Sequence, residues 1–207
     1  MTINKNHWYD GWFYDLFIAP NQDILFGQIK NLIEPNSRVI DVGCGTGRFS
    51  FTVVEKCNSI LGIDLSKRNI ERANLTLAKK QNDKISFQHK SIGEIIADGN
   101  ERFEFAVITY VIHEVDESER AKLLNEISLI TDKIIIGDYV APKPKGFWGL
   151  LNEAVEFAAG KDHYRNYKSY IHKGGLKELA KENELRILSE IKNKPSTSHI
   201  VVLSKEK

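Results

Sequence analysis

The sequence has few of the features that mark membrane, secreted or metal-dependent proteins. It contains only two cysteines, Cys44 and Cys57, and their spacing fits neither a disulfide scaffold nor a paired-cysteine metal site. No apolar run approaches the roughly 20 residues that a membrane-spanning helix needs. The N-terminus lacks the apolar segment of a secretory signal. We therefore expect a cytoplasmic protein without a membrane partner.

An excess of charge of one sign is also missing, since 29 basic side chains face 28 acidic ones and the formal net charge is +1. Such a balance gives the whole chain no electrostatic attraction to nucleic acid, so we expect no nucleic-acid partner. The histidine spacing does not form a metal-ligand cluster, and we predict no metal. The histidines concerned are His7, His89, His172 and His199.

The chain order of apolar runs predicts the fold. Runs that read as strands are separated by helical patterns, which is typical of a parallel sheet with right-handed crossovers. Two final strands are joined by a segment too short for a crossover helix, so this pair should be antiparallel. The predicted strands are 38–42, 59–64, 84–88, 103–110, 133–138, 186–191 and 199–203. We predict an α/β fold with a doubly wound, mostly parallel, seven-stranded Rossmann-like sheet and an antiparallel final strand pair.

The 207 residues are enough for one domain with a substantial core, and we predict a single domain over 1–207. Within it, residues 1–35 are rich in aromatic side chains and helical in pattern, which predicts an N-terminal helical cap. Residues 141–168 break the alternation and predict a lid-like insertion that contains a helix. Glu153 and Glu156 lie at helical spacing, and we interpret them as its solvent-facing side.

The most informative stretch is V-I-D-V-G-C-G-T-G-R-F at 39–49, which continues directly from the first predicted strand. Doubly wound sheets bind ligands outside the carboxyl ends of their strands. A dinucleotide fingerprint would need a third glycine at Arg48, and a phosphate-binding P-loop would need G-K-[ST]. The spacing of Gly43, Gly45 and Gly47 therefore favours a nucleoside-type ligand over a pyrophosphate.

Two carboxylates near this loop support that interpretation. Asp41 precedes the loop, where it could reach a cationic amine of the ligand. Asp64 ends the second predicted strand, about 20 positions after the glycines, where an acidic residue can accept hydrogen bonds from ribose hydroxyls. The pair would repel a pyrophosphate and attract a positively charged nucleoside.

Together, V-I-D-V-G-C-G-T-G and G-I-D-L-S (62–66) resemble the first two motifs of class I S-adenosylmethionine-dependent methyltransferases. The resemblance implies S-adenosylmethionine as the cofactor and S-adenosylhomocysteine as its product. It implies that Asp64 binds the ribose and that Leu65 flanks the adenine. The methionine half would lie among Asp41, Gly43, Cys44, Gly45, Thr46 and Gly47, with Cys44 as a small packing residue. Ser91 and Ile92 would border the adenine, and Thr109 and Tyr110 the sulfonium.

The segment T-Y-V-I-H-E-V (109–115) resembles the stretch after the fourth strand in small-molecule methyltransferases. It lacks the Asn- or Asp-Pro-Pro-aromatic signature of many nucleic-acid amino-methyltransferases. The resemblance therefore implies a small-molecule acceptor. A base helps when the acceptor must lose a proton, and His113 and Glu114 are the catalytic candidates. The substrate-binding candidates are Tyr14 and, in a predicted loop over 160–167, His163, Tyr164 and Arg165.

Three other functions stay open from the sequence. The chain could methylate RNA or protein, which would require a basic stripe beside the pocket. It could bind a nucleoside without catalysis. It could be an NAD-dependent oxidoreductase, although Arg48 in place of a third glycine disfavours this. Neither the acceptor atom (oxygen, nitrogen or carbon) nor the oligomeric state is specified by the sequence.

Overall fold

The computed structural model describes residues 19–99, 102–193 and 196–205. The expectations for Tyr14 and for the first 18 residues of the N-terminal cap lie outside this range. The strands are β1 Ser37–Val42, β2 Cys57–Ile63, β3 Ile85–Gln88, β4 Phe103–Thr109, β5 Thr131–Tyr139, β6 Leu185–Lys192 and β7 Ser198–Lys205. The helices are α1 Ala19–Leu32, α2 Arg48–Val53, α3 Lys67–Lys80, α4 Ile92–Asp98, α5 Glu117–Ile130, α6 Phe147–Ala159, α7 Lys161–His172 and α8 Gly175–Glu182.

The strands form one seven-stranded sheet in the order β3-β2-β1-β4-β5-β7-β6. The pairs from β3 across to β5 are parallel, whereas β7 is antiparallel to both of its neighbours. The predicted fold class is therefore confirmed. Strand order reverses between β1 and β4, so a crevice opens beyond their carboxyl ends, where such sheets bind ligands.

Successive side chains of a strand point to opposite faces, and this alternation divides the core into two layers. Val39 of β1 packs with α1, α2 and α3 on one face. Its neighbour Ile40 packs with α4, α5 and α8 on the other face. Because both faces are covered, the central strands are almost continuously apolar, as buried parallel strands are.

The main error of the sequence analysis is the loop predicted over 160–167, which is the first half of α7. The helix forms because Tyr167 and Tyr170 recur at a spacing of three and are buried together, which places them on one face. Asp162 in the first turn also favours the helix dipole. The intervening polar residues had concealed this periodicity.

Helix α6 follows β5, within the segment predicted to be a lid, and it exposes several large apolar side chains. Phe147, Trp148, Leu150 and Phe157 are all solvent-exposed, and the helix packs chiefly against α7. Glycines with a positive φ bound the helix, Gly146 before it and Gly160 after it. Within the described part of the chain, no helix combines the length and apolarity that crossing a membrane requires.

Candidate active site

The loop between β1 and α2 turns sharply, and its three glycines have positive φ angles of 73°, 55° and 81°. The Gly43 and Cys44 amides both donate to the carbonyl of Ile63 at the end of β2, over 2.8 and 3.0 Å. The Gly47 amide closes the turn by donating to the Cys44 carbonyl over 2.9 Å. These bonds fix the loop against the tip of the neighbouring strand.

The three loop glycines differ in their surroundings. A Cβ at Gly43 would lie 2.5 Å from Val111, and a Cβ at Gly47 would lie 2.4 Å from the ring of Phe87. Both glycines are therefore needed for close packing inside the protein. By contrast, no heavy atom of the described residues lies within 4 Å of a Cβ at Gly45. The space above Gly45 is open, as close approach of a ligand to the loop backbone would require.

Asp64 lies at the rim of this open space. Its Oδ2 accepts from the Gly45 amide over 2.8 Å, and its Oδ1 accepts from the Ser66 amide over 2.7 Å. The carboxylate thus bridges the glycine loop and the start of α3, which Ser66 caps. Each oxygen still has a second lone pair, so the half-buried carboxylate can accept hydrogen bonds from a ribose.

Asp41 is fully buried beneath the loop, and its Oδ2 accepts from Ser50 Oγ on α2 over 2.6 Å. Its Oδ1 has no hydrogen-bond partner among the described residues. Burial raises the pKa of Asp41 to about 7, and although the Ser50 hydrogen bond opposes this shift, the nearby charge of Asp64 adds to it. A buried, unpaired carboxylate oxygen is costly, which fits a cationic group of a ligand approaching from the loop side.

The other two loop residues, Cys44 and Thr46, differ in exposure. Cys44 is buried, with its Sγ 3.0 Å from the position of a Cβ at Gly62. Burial raises the pKa of the Cys44 thiol above its ordinary value, so the residue stays a neutral packing group rather than a nucleophile. Thr46 is exposed at the tip of the loop.

On the predicted adenine side, Leu65 is 75% exposed beside Asp64. Ser91 caps α4: its Oγ donates to Glu94 Oε2 over 2.7 Å and accepts from the Glu94 amide. This capping box occupies the proton and one lone pair of the hydroxyl, so a contact with adenine stays a prediction. Ile92 is buried in the core, which leaves only its backbone for such a contact.

The segment after β4 passes beside the glycine loop. Thr109 ends the strand, and Tyr110 adopts a left-handed φ of 55° while its amide donates to the Gly137 carbonyl on β5 over 2.8 Å. Val111 then fills the space next to Gly43. The segment thus lies beside the glycine loop, and the contact of Thr109 and Tyr110 with the sulfonium, which the resemblance implies, stays a prediction.

Beyond Tyr110, the chain buries a histidine between two carboxylates. His113 is 1% exposed, and its Nδ1 lies 2.6 Å from Asp138 Oδ1 at the end of β5. Because a carboxylate only accepts, Nδ1 carries the proton. The His113 amide also donates to Asp138 Oδ2 over 3.2 Å. Asp138 therefore holds both the ring and the backbone of His113.

The second carboxylate is Glu156 of α6, which is only 4% exposed. Its Oε1 lies 3.5 Å from His113 Nε2 and accepts from the Tyr139 hydroxyl over 2.9 Å. Our interpretation of Glu156 as solvent-facing is therefore wrong, because α6 turns its aromatic side chains outward and its glutamate inward. Glu153 is half-buried and pairs with Lys143, Tyr164 and Lys168.

The protonation of His113 is set by these neighbours. Burial lowers the pKa of His113, but the charge and hydrogen bond of Asp138 and the nearby charge of Glu156 outweigh it, so the pKa lies well above its ordinary value. These neighbours therefore favour the protonated imidazolium form of His113. A histidine that is already protonated does not serve as a base, which argues against the simplest version of its predicted catalytic role.

The remaining predicted residues lie around this cluster. Glu114 is partly exposed, with its Oε1 4.0 Å from His113 Nε2 and 3.7 Å from His163 Nδ1. Tyr164 donates to Glu153 over 2.8 Å. Arg165 is exposed and pairs with Asp116 and Asp162 on the surface. The structure thus brings Glu114 close to both His113 and His163, whereas substrate contacts of His163, Tyr164 and Arg165 stay predictions.

Among residues 19–99, 102–193 and 196–205, no group of three or more histidine, cysteine or acidic side chains is placed to hold a metal ion. The site instead offers an open space above Gly45 with a carboxylate at its rim, next to a buried cluster of charged and aromatic side chains.

Comparison with known proteins finds a similar domain over the residues that form the crevice. Residues 39–132 match a family model described as a methyltransferase domain. Over these residues, a little under half of the chain, the sequence is similar to methyltransferase domains. The matched range includes the glycine loop, Asp64 and the segment after β4, so the residues that carry the resemblance are those that build the crevice.

Two curated relatives match most of the chain. The ubiquinone biosynthesis O-methyltransferase of Bartonella quintana is 24% identical over 163 residues, covering 75% of this chain and 63% of that protein. The O-antigen chain terminator bifunctional methyltransferase/kinase WbdD of Escherichia coli is 29% identical over 138 residues, covering 62% of this chain and 19% of that protein. The chain thus spans less than two thirds of the length of either relative.

Solved structures support the fold. Magnesium protoporphyrin IX methyltransferase ChlM from Synechocystis PCC 6803, crystallised with bound SAM, superposes with a TM-score of 0.65 at 12% identity. The match covers 95% of this chain and 86% of that one. At this identity the similarity establishes the architecture of the domain and not its substrate.

Three residues of the buried cluster were missed by the sequence analysis. Asp138 could have been found, because it ends a predicted strand in the same way as Asp64. Tyr139 is the next residue in the chain. Glu156 gave no usable signal, because the orientation of α6 depends on packing that its own sequence does not reveal.

Proposed function

We propose that this protein is an S-adenosylmethionine-dependent methyltransferase that transfers a methyl group to a small-molecule acceptor and forms S-adenosylhomocysteine. The observation that carries the proposal is the open space above Gly45, bordered by the carboxylate of Asp64. The matched methyltransferase family and the names of the relatives support it. We further propose a cytoplasmic location.

The residues present fit this cofactor. The unpaired Oδ1 of Asp41 and the open backbone at Gly45 suit the cationic methionine half. Asp64 accepts hydrogen bonds from the ribose hydroxyls, and the exposed Leu65 provides an apolar surface for the adenine. Thr109 and Tyr110 border the sulfonium end. Together these groups favour a nucleoside that carries positive charge.

When bound, S-adenosylmethionine supplies a methyl group already activated by a sulfonium. The chain contributes mainly by alignment, which can lower a barrier by about 7–11 kcal/mol. The glycine loop holds one side of the crevice and the segment after β4 holds the other. The acceptor would lie over the tips of β4 and β5, next to Tyr110, Tyr139 and the buried cluster around His113.

Isothermal titration calorimetry tests the proposal on the full chain. S-adenosylhomocysteine should bind with a dissociation constant on the order of micromolar, within the usual range for enzyme ligands, and NADH should give no heat. Turnover of S-adenosylmethionine with a panel of small phenols, alcohols and amines should then give methylated products. A folded sample that binds NADH but not S-adenosylhomocysteine would refute the proposal.

A further inference from the structure

The buried cluster around His113 contains two polar atoms whose hydrogen bonding is incomplete. Neither His113 Nε2 nor Glu156 Oε2 has a hydrogen-bond partner among the described residues, although both atoms are buried. Native proteins rarely leave such atoms unpaired without a ligand or water to complete them. The two unpaired atoms belong to facing side chains, since His113 Nε2 lies 3.5 Å from Glu156 Oε1. One small polar group could therefore satisfy both of them.

This cluster is close to the crevice. Val111 packs on Gly43 of the glycine loop, and the ring of the preceding Tyr110 lies 5.7 Å from the ring of Tyr139. The Tyr139 hydroxyl donates to Glu156. Glu156 is thus separated from the loop by two packed aromatic side chains, on the side where the acceptor would lie.

The charges of the cluster restrict the ligands that can enter it. The carboxylates of Asp138, Glu156 and Glu114 face one imidazolium. The guanidinium of Arg120 is used elsewhere, because it donates to the carbonyls of Val115 and Asn166 and to Ser169 Oγ. Anionic acceptors are therefore repelled, and a neutral group that can donate a hydrogen bond is favoured.

The walls of the cluster are aromatic. The Tyr139 ring lies 4.7 Å from His113 and 5.3 Å from Tyr167, in tilted and edge-to-face arrangements. Burial raises the pKa of Tyr139 well above its ordinary value, and the charge of Glu156 adds to this effect, so its hydroxyl stays a donor. An aromatic ring packs well against such walls.

We propose that Glu156, rather than His113 or Glu114, binds the hydroxyl of a phenolic acceptor and takes its proton. This inference rests on the proposed methyltransferase function. The hydroxyl donates to Glu156 Oε2 and accepts from His113 Nε2. As the proton moves to the carboxylate, the oxygen keeps the electron pair, forms the new bond to the methyl carbon and displaces the thioether sulfur, which keeps the electrons of the broken bond.

The neighbours take supporting roles in this assignment. Asp138 fixes the ring of His113, which stays protonated and acts as a positioning residue that stabilises the developing oxyanion. Tyr139 orients Glu156. Entry of the acceptor requires α6, which is bounded by Gly146 and Gly160, to move outward and to release the contacts that Glu153 and Glu156 make with their partners.

The test compares Glu156→Gln with Glu153→Gln, one helical turn earlier on α6. The probes are 4-methylphenol and 4-methylanisole, which differ only in the hydroxyl hydrogen and its methyl replacement. Binding is measured by calorimetry with S-adenosylhomocysteine present. The wild-type chain and Glu153→Gln should bind the phenol at least about 10-fold more tightly than the ether, since a charge-assisted hydrogen bond contributes about 1.5–3 kcal/mol. In Glu156→Gln this ratio should fall towards one.

A purely structural role for Glu156 would weaken both probes equally and leave the ratio unchanged. That result, or a wild-type chain that binds S-adenosylhomocysteine yet does not prefer the phenol, would overturn the inference. Methyl transfer to 4-methylphenol should also fall about 100-fold or more in Glu156→Gln. Failure of every variant to bind S-adenosylhomocysteine would instead refute the methyltransferase function, so the two failures are distinguishable.

Discussion

The two halves of the site, at the carboxyl ends of the strands, differ in how far their charged groups are exposed to solvent. The cofactor half, residues 37–92, keeps an open crevice above Gly45 with a half-buried carboxylate at its rim. The acceptor half, residues 109–172, encloses its charges, so that His113, Asp138 and Glu156 are all almost inaccessible. Rim groups can bind a ligand at little cost to folding, whereas buried charges must be paired before the protein is stable.

The difference between the halves predicts where mutations should act. Substitutions at the open rim of the cofactor half should mainly change cofactor affinity, and loss of the buried cation in the acceptor half should mainly change stability. Variants in both halves test this difference, and we expect the largest effect on stability at the buried His113.

Replacing His113 with glutamine should give the largest loss of stability. The change leaves Asp138 and Glu156 as buried carboxylates without a cation, and breaking a buried pair in this way costs about 3–5 kcal/mol. Urea denaturation at pH 7 measures the free energy of unfolding. The exposed His89 in the cofactor half is the matched control, and His89→Gln should change stability by less than about 0.5 kcal/mol. Equal losses of unfolding free energy in the two variants would contradict the predicted difference between the halves.

Gly45→Val should abolish most of the affinity for S-adenosylhomocysteine, by about 100-fold or roughly 2.7 kcal/mol. The valine side chain would fill the open space above the loop. Gly99→Val is the control, because Gly99 also has a positive φ and open surroundings but lies at the end of α4. Neither φ angle suits a β-branched residue, so both variants carry backbone strain. Calorimetry should therefore separate them, and similar affinities would place the ligand elsewhere.

Asp64→Asn should weaken S-adenosylhomocysteine binding roughly 10- to 100-fold, because charge-assisted hydrogen bonds to the ribose contribute about 1.5–3 kcal/mol. The asparagine can still accept from the Gly45 amide, so the loop should keep its shape. Asp132→Asn removes an exposed carboxylate that pairs with Arg102 and should leave the affinity unchanged. An unchanged affinity in Asp64→Asn would contradict the ribose contact.

The burial of Asp41 predicts that the stability of the protein depends on pH. Its pKa rises from 3.8 to about 7 on folding, so between these values the folded protein keeps a proton that the unfolded chain has lost. Stability should therefore fall as pH rises from about 4 to 7, by at most about 1.4 kcal/mol per pH unit from this group. Urea denaturation across this range should show a shallower fall in Asp41→Asn, and parallel curves would contradict the prediction.

The cofactor half was predictable because its signals are local in sequence. The strands β1 and β2 are continuous apolar runs, the glycine spacing specifies a turn, and Ser66 caps α3 where its position indicates. Each feature depends on residues that are neighbours in the chain. The short α4 was missed, although Ser91 and Glu94 form its capping box.

The acceptor half was less predictable because tertiary packing decides it. The polar residues of 160–167 suggested a loop, whereas burial of Tyr167 and Tyr170 makes the segment helical. The spacing of Glu153 and Glu156 suggested a solvated face, yet Glu156 is drawn inward by His113 and Tyr139. Such pairings join residues far apart in sequence, which no local pattern encodes.

The most direct test of the central claim is a crystal structure of the full chain with S-adenosylhomocysteine. The account predicts the nucleoside above Gly45, with ribose hydroxyls about 2.5–3.0 Å from the Asp64 carboxylate and the sulfur facing Tyr110. Density for the ligand at another place, or a ribose turned away from Asp64, would contradict it.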